Sequence, residues 1–184
     1  MMRATFSRTA GPHESTTSPW LWIGLTVLTL VVSSGCSAPS SPDPQPQEPG
    51  QPASTTTASD LVDATNAERS RAGMRSLTVN GRLMEAARVQ AEQVAAAGRL
   101  EHTLPEARLP SLEDRLAAAG YDWQEAGENL AYGQRNAAHA VDTWMQSPGH
   151  RVNILSATFT EIGAGYVVDP TGRPYYVQVF GRQR

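Results

Sequence analysis

The chain contains no lysine: its 15 basic residues are all arginine, set against 18 acidic ones for a formal charge of −3. From Asp60 onward 13 arginines face 15 acids, so no basic stripe recommends a nucleic-acid partner. There is one cysteine, Cys36, which excludes an intramolecular disulfide and leaves the folded part to stand on its core alone. No glycine-rich phosphate loop or dinucleotide fingerprint occurs, and no Gly-x-Ser-x-Gly elbow surrounds any serine, so a serine hydrolase finds no support. Hydrophobic runs are short. The longest, Trp20 to Val32, has 13 residues, whereas a lone transmembrane helix needs about 20.

What is present begins with an export pattern over residues 1–36: Arg3 and Arg8, the apolar run, then Ser33-Ser34-Gly35-Cys36. A cationic start, a short apolar segment and a small-residue cleavage site read as a secretory signal. Cys36 sits where a bacterial lipobox places the thiol that receives diacylglycerol, although Ser33 stands where such boxes usually carry Leu, Val or Ile. Two acyl chains are what stable anchoring requires. The expectation is an extracytoplasmic protein held by lipid to the outer face of the cell membrane, with release by secretion as the alternative. Residues 37–59 hold six prolines and almost nothing apolar, and such a segment cannot bury enough surface to offset its ordering entropy. It reads as a disordered tether, able at about 3.1 Å per residue to hold a domain several tens of ångströms from the bilayer.

Residues 60–184 have the size of one domain. Leu61, Val62, Ala64 and Thr65 recur at helical spacing, with Ser59 or Asp60 available as a cap and Gly73 as a stop. A second helix after Asn80 carries the stripe Leu83, Ala87, Ala91, Val94 and ends at Gly98. Its alanines let another element approach closely. Ser111-Leu-Glu-Asp114 is a capping box opening a short helix that closes at Gly120. A fourth helical stretch runs from about Asn136 to Gln146, where Pro148-Gly149 breaks it. Ile162–Val168 and Pro174–Phe180 then read as strands joined by the Asp169-Pro-Thr-Gly turn. Gly163 and Gly165, two glycines within a strand, mark close backbone approach. Helices first and hairpin-linked strands late argue for an α+β fold; the expectation is one domain acting as a monomer.

Several motifs fall in order along this domain: Asn66-Ala-Glu-Arg69, Glu101-His102-Thr103, Gly127-Glu128-Asn129-Leu130-Ala131, Trp144-Met-Gln-Ser147, Pro148-Gly-His-Arg151 with Asn153-Ile-Leu155, and Phe159-Thr-Glu-Ile-Gly163. Together they resemble the bacterial branch of the CAP superfamily, also called the SCP domain (the cysteine-rich secretory protein, antigen 5 and pathogenesis-related type). The resemblance implies a three-layer α-β-α sandwich with a small, mainly antiparallel sheet and a polar cleft of two His and two acids, where some members bind a divalent metal such as zinc. Carried over motif by motif, His102 is the first His, Glu128 the first acid and His150 the second His. Ser147 takes the place where many relatives have a second Glu, and Glu161 is the candidate to supply that missing acid.

The residues themselves leave alternatives open. His102 also reads as a solvated imidazole beyond a helix end, Glu128 as a turn carboxylate, and His150 as a loop or helix-start residue. Their wide separation gives no local metal spacing, so two imidazoles and a carboxylate forming a zinc site with His102 and His150 as ligands, or a purely hydrogen-bonded cluster, both stand. His139 falls on a polar helix face outside the site. Trp144 and Tyr132 read as core. Two functions are carried forward: a module binding a small apolar or cell-wall-derived ligand at the cleft, as the resemblance implies from lipid binding in parts of the family, or a metal-dependent hydrolase of peptide or cell-wall substrates with Glu128 as base. A purely adhesive role is the third.

Overall fold

The computed structural model describes residues 56–184. The export segment, Cys36 and the tether as far as residue 55 lie outside the described residues. The first helix, α1 (Ala58–Arg71), starts two residues before the expected boundary. Thr57 is its cap, because Thr57 and Asp60 form a reciprocal capping box; Asp60 is the third helical residue of that box and not the cap itself. A two-residue strand, β1 (Thr78–Val79), precedes α2 (Gly81–Ala97), and α3 (Leu112–Ala118) follows. Then come β2 (Trp123–Tyr132), α4 (Ala137–Gln146), α5 (Pro148–Ile154), β3 (Glu161–Val168) and β4 (Pro174–Gln183).

Local chemistry accounts for most of these bounds. Asn80 accepts from the Arg82 N–H to start α2, and Gly98 stops it in the left-handed region at φ 67°. Ser111 and Asp114 make the expected capping box on α3. In the β3–β4 turn, Asp169 Oδ1 accepts from the backbone of Thr171 and Arg173 at 2.8 and 3.0 Å. Pro148-Gly149 does more than end α4: Pro148 sits in the first turn of α5, where its missing N–H costs nothing.

The four strands lie in the order β1-β3-β4-β2, with β1 parallel to β3 and the other pairs antiparallel. Helices cover both faces, giving the three-layer α+β sandwich. On one face Leu83, Ala87, Ala91 and Val94 of α2 join Leu116 of α3 over Leu130, Tyr175, Val177 and Val179. On the other, Leu61, Val141, Trp144 and Ile154, from α1, α4 and α5, pack on Ile162, Ala164, Tyr176 and Phe180. The two strand glycines have the expected role: a Cβ at Gly163 or Gly165 would overlap the α2 backbone at Leu83 or Ala87. Trp144 is core, 1% exposed, and its indole N–H donates to the Leu130 carbonyl at 3.0 Å. Tyr132 is not. It lies at the end of an edge strand, 47% exposed, stacked on Tyr175 and beneath the Arg173 guanidinium.

Candidate functional site

The site gathers on β2, an edge strand that the sequence pattern did not reveal and where a turn was one reading of Glu128. Glu128 lies mid-strand, opposite Val179 of β4, and is 7% exposed. Its two carboxylate oxygens have different partners. Oε2 accepts from Arg115 Nη2 at 2.7 Å, and Oε1 lies 2.9 Å from His102 Nδ1. A carboxylate only accepts, so the N–H at His102 Nδ1 is the donor. The His102 side chain is 60% exposed; its pairing with Glu128 sets it apart from a freely solvated helix-end histidine.

Arg115 is the residue that sequence reasoning missed. Its side chain is fully buried, and its other terminal nitrogen faces the carbonyls of Leu109 and Pro110 at 3.5 Å, the limit of a hydrogen bond. Its Nε has no hydrogen-bond partner. The signal lay in α3, where Leu112, Arg115, Leu116 and Ala119 form one stripe at helical spacing, so that the arginine falls on the apolar face.

His150 reaches the neighbourhood from α5, with Nδ1 2.9 Å from Ser147 Oγ. Ser147 therefore does not restore the lost carboxylate; it holds an imidazole. Burial pushes the His150 pKa down, with His102 adding to the same direction. Two buried or half-buried amides tie this side to β2. Asn129, 0% exposed, donates to the His150 carbonyl at 3.2 Å and to Gln178 Oε1 at 3.0 Å. Asn153 donates to Asn129 Oδ1 at 2.9 Å and to the Glu128 carbonyl at 3.2 Å. Both asparagines lie inside the motifs Gly127–Ala131 and Asn153–Leu155, but nothing in their spacing showed that they meet.

Glu161 does not join His102, Glu128 and His150. It opens β3 opposite Gly181, two strands across and two residues along from Glu128. There it accepts from the Tyr121 hydroxyl at 2.6 Å, from Asn80 at 2.8 Å and from Gln183 at 3.2 Å. Burial works to raise its carboxyl, but these hydrogen bonds outweigh it and hold the group below its ordinary value. Gly181 makes room for the Tyr121 ring.

A catalytic zinc usually takes three protein ligands. Among the described residues no group of three or more His, Cys, Asp or Glu is placed to hold a metal ion. His102 and His150 offer two imidazoles, and both oxygens of Glu128 are already engaged. This donor set does not fit a resident zinc in the described arrangement.

Beside the His102 loop lies a groove of about 260 Å³ lined by Gln93, Ala96, Ala97, Leu104, Glu106 and Ala107. Leu104 is two residues on from His102, so the groove adjoins the loop that carries the imidazole.

Comparison with known proteins places this geometry. The chain is similar to protein YkwD of Bacillus subtilis (strain 168), 37% identical over 107 residues that make up 58% of this chain and 41% of YkwD. It is 34% identical over 126 residues to the membrane protein YlbC of the same strain, covering 68% of this chain and 34% of YlbC. It thus spans well under half of either relative. Among solved structures, an extracellular SCP-domain protein from Bacillus anthracis str. Ames aligns with a TM-score of 0.62 at 29% identity, over 68% of this chain and 40% of that one. Residues 62–180 match the family described as CAP, the cysteine-rich secretory protein family, and the chain belongs to that family.

Proposed function

We propose that this chain is an extracytoplasmic CAP-domain module, anchored to the outer face of the membrane through lipidated Cys36, that binds a small apolar or cell-wall-derived ligand at the His102–Glu128 cleft without catalysing a reaction. The observation that carries the reading is the engagement of Glu128. One oxygen accepts from a buried guanidinium and the other from an imidazole, and with 3% of the side chain exposed the carboxylate is held by its neighbours and offers water little access. A general base must reach the proton it abstracts. The adjoining groove, walled by Ala96, Ala97, Leu104 and Ala107, supplies the apolar contact that a binding module needs beside its few polar groups. The placement outside the cytoplasm draws on the export pattern, on the printed description of the Bacillus anthracis protein as extracellular and on that of YlbC as a membrane protein.

The test is titration of the protein with muropeptides and, separately, with medium-chain fatty acids, while watching for cleavage of the muropeptides. Binding is expected without turnover. His102→Ala should weaken it by no more than about tenfold, the effect of one exposed hydrogen bond. Ala97→Glu, which charges the groove, should abolish it. Chelator-sensitive cleavage that disappears in His102→Ala would overturn the proposal in favour of a hydrolase.

A further inference from the structure

The two sides of the cleft come from opposite faces of the sheet. Glu128 points to the α2 side, where it meets Arg115, while His150 rides on α5, which packs with α1 and α4 on the other side. No strand ladder holds them together, because β2 is an edge strand and α5 lies outside the sheet; the direct ties from β2 to α5 are the Asn129 bond to the His150 carbonyl and the two bonds of Asn153. We infer that Asn153 is the positioning residue that fixes α5, and with it His150, against β2 beside Glu128. This rests on the proposal that His102, Glu128 and His150 share one cleft.

Three observations carry it. On an edge strand every second carbonyl points away from the sheet and lacks a strand partner. Asn153 Nδ2 takes that place for Glu128 at 3.2 Å, as the Trp144 indole does for Leu130. Next, Asn153 lies one helical turn beyond His150 on α5, so the bond that fixes one fixes the other. Last, the other anchors of α5 are ones Asn153 supports or that lie at its far end: Asn129, which accepts from Asn153, holds the His150 carbonyl, and Arg69 holds the Ile154 carbonyl. The helix is seven residues long, Ser147 makes no side-chain cap bond to it, and its single buried residue is Ile154.

Asn153 is also the end of a buried polar chain that leads back to the scaffold. It donates to Asn129, which donates to Gln178; Gln178 donates to the Thr65 hydroxyl, and that hydroxyl donates to the Leu61 carbonyl in α1. Asn129, Gln178 and Thr65 are each 0% exposed, so these bonds have no water to replace them, and each amide is held in one orientation. The chain runs from α1 through β4 and β2 to α5.

The experiment reads the His150 imidazole resonances by NMR in the full-length protein at fixed pH, and asks how far they move when His102 is replaced by Ala. In the otherwise native chain a clear shift is expected. In Asn153→Ala, and in Asn153→Leu, which keeps the volume and removes the bonds, the response to His102→Ala should fall at least threefold. Val94→Ala, which opens the core on the α2 face, should leave it intact. The role of Asn153 is refuted if the response persists undiminished in both Asn153 variants, however much they lose in stability, or if Val94→Ala weakens it equally. No response in the otherwise native chain would take down the shared cleft itself, and with it the role given to Asn153.

Discussion

Arg115 and Glu128 remove two full charges from water at once, and each is tolerable only in the presence of the other. Glu128 has 3% of its side chain exposed and Arg115 none. Breaking such a buried pair from one side leaves an uncompensated charge and costs about 3–5 kcal/mol, whereas replacing both by apolar groups is often close to neutral. Arg115→Met is therefore expected to lower stability by about 3 kcal/mol or more in urea unfolding, and Arg115→Met combined with Glu128→Met to recover most of it. His150 adds a pH dependence. Its pKa is depressed in the folded state by burial and by His102, so below the ordinary value near 6.5 the unfolded chain binds the proton first. Stability should be fully present above that value, fall as the pH drops through it towards the lower folded value, and fall less in His150→Gln. Following the unfolding midpoint between pH 7.5 and 5 checks the sign. Residue types alone do not reveal these pairings. An arginine in a short helix reads as solvated, and only its position on the Leu112–Ala119 stripe marks it as buried.

The strongest constraint among the elements is the seat of α2 on β3, backbone against backbone at Gly163 and Gly165. A methyl at Gly163 has to displace the helix itself, so Gly163→Ala should lower the unfolding free energy by about 1–3 kcal/mol, the usual range for overpacking. Gly149 is the contrast. It sits in α5 with open space where a Cβ would go, and Gly149→Ala should be neutral or raise stability by up to about 1 kcal/mol. Thermal or urea melts of the two variants settle both. The same comparison explains what the sequence makes visible. The α2 stripe, the Ser111–Asp114 box and the Asp169–Gly172 turn are local signals, and the structure has each where the pattern puts it. Strand β2 is hidden because Glu128 and Asn129, on opposite faces, are both buried and polar, which erases the apolar alternation. Strand β1 has only two residues, too few to carry a period. Glu161 shows the same limit: the expected strand began one residue later, at Ile162, and which side chains Glu161 meets depended on the register with β4 and β2.

For the whole molecule, the order of six motif blocks from Asn66 to Gly163 specified the family even where individual strands were hidden. The membrane anchoring proposed above rests on Cys36. Replacing Cys36 by Ser is expected to shift the protein from the membrane fraction to the medium and to remove a lipid-sized increment from its intact mass; retention of the variant at the membrane would instead make the export segment the anchor. One further consequence follows from α2. A helix wedged onto the central strands cannot slide or tilt without opening the sheet, so its amides from Ala86 to Val94 should be among the last to take up deuterium. The stretch after Gly98 is held mainly by side chains: Gln90 on the Glu101 carbonyl, Gln93 on Leu109, and His102 on Glu128. It should exchange much sooner. The domain then has a slow slab and a fast rim, and the ligand proposed above would enter at the rim while the slab stays shut.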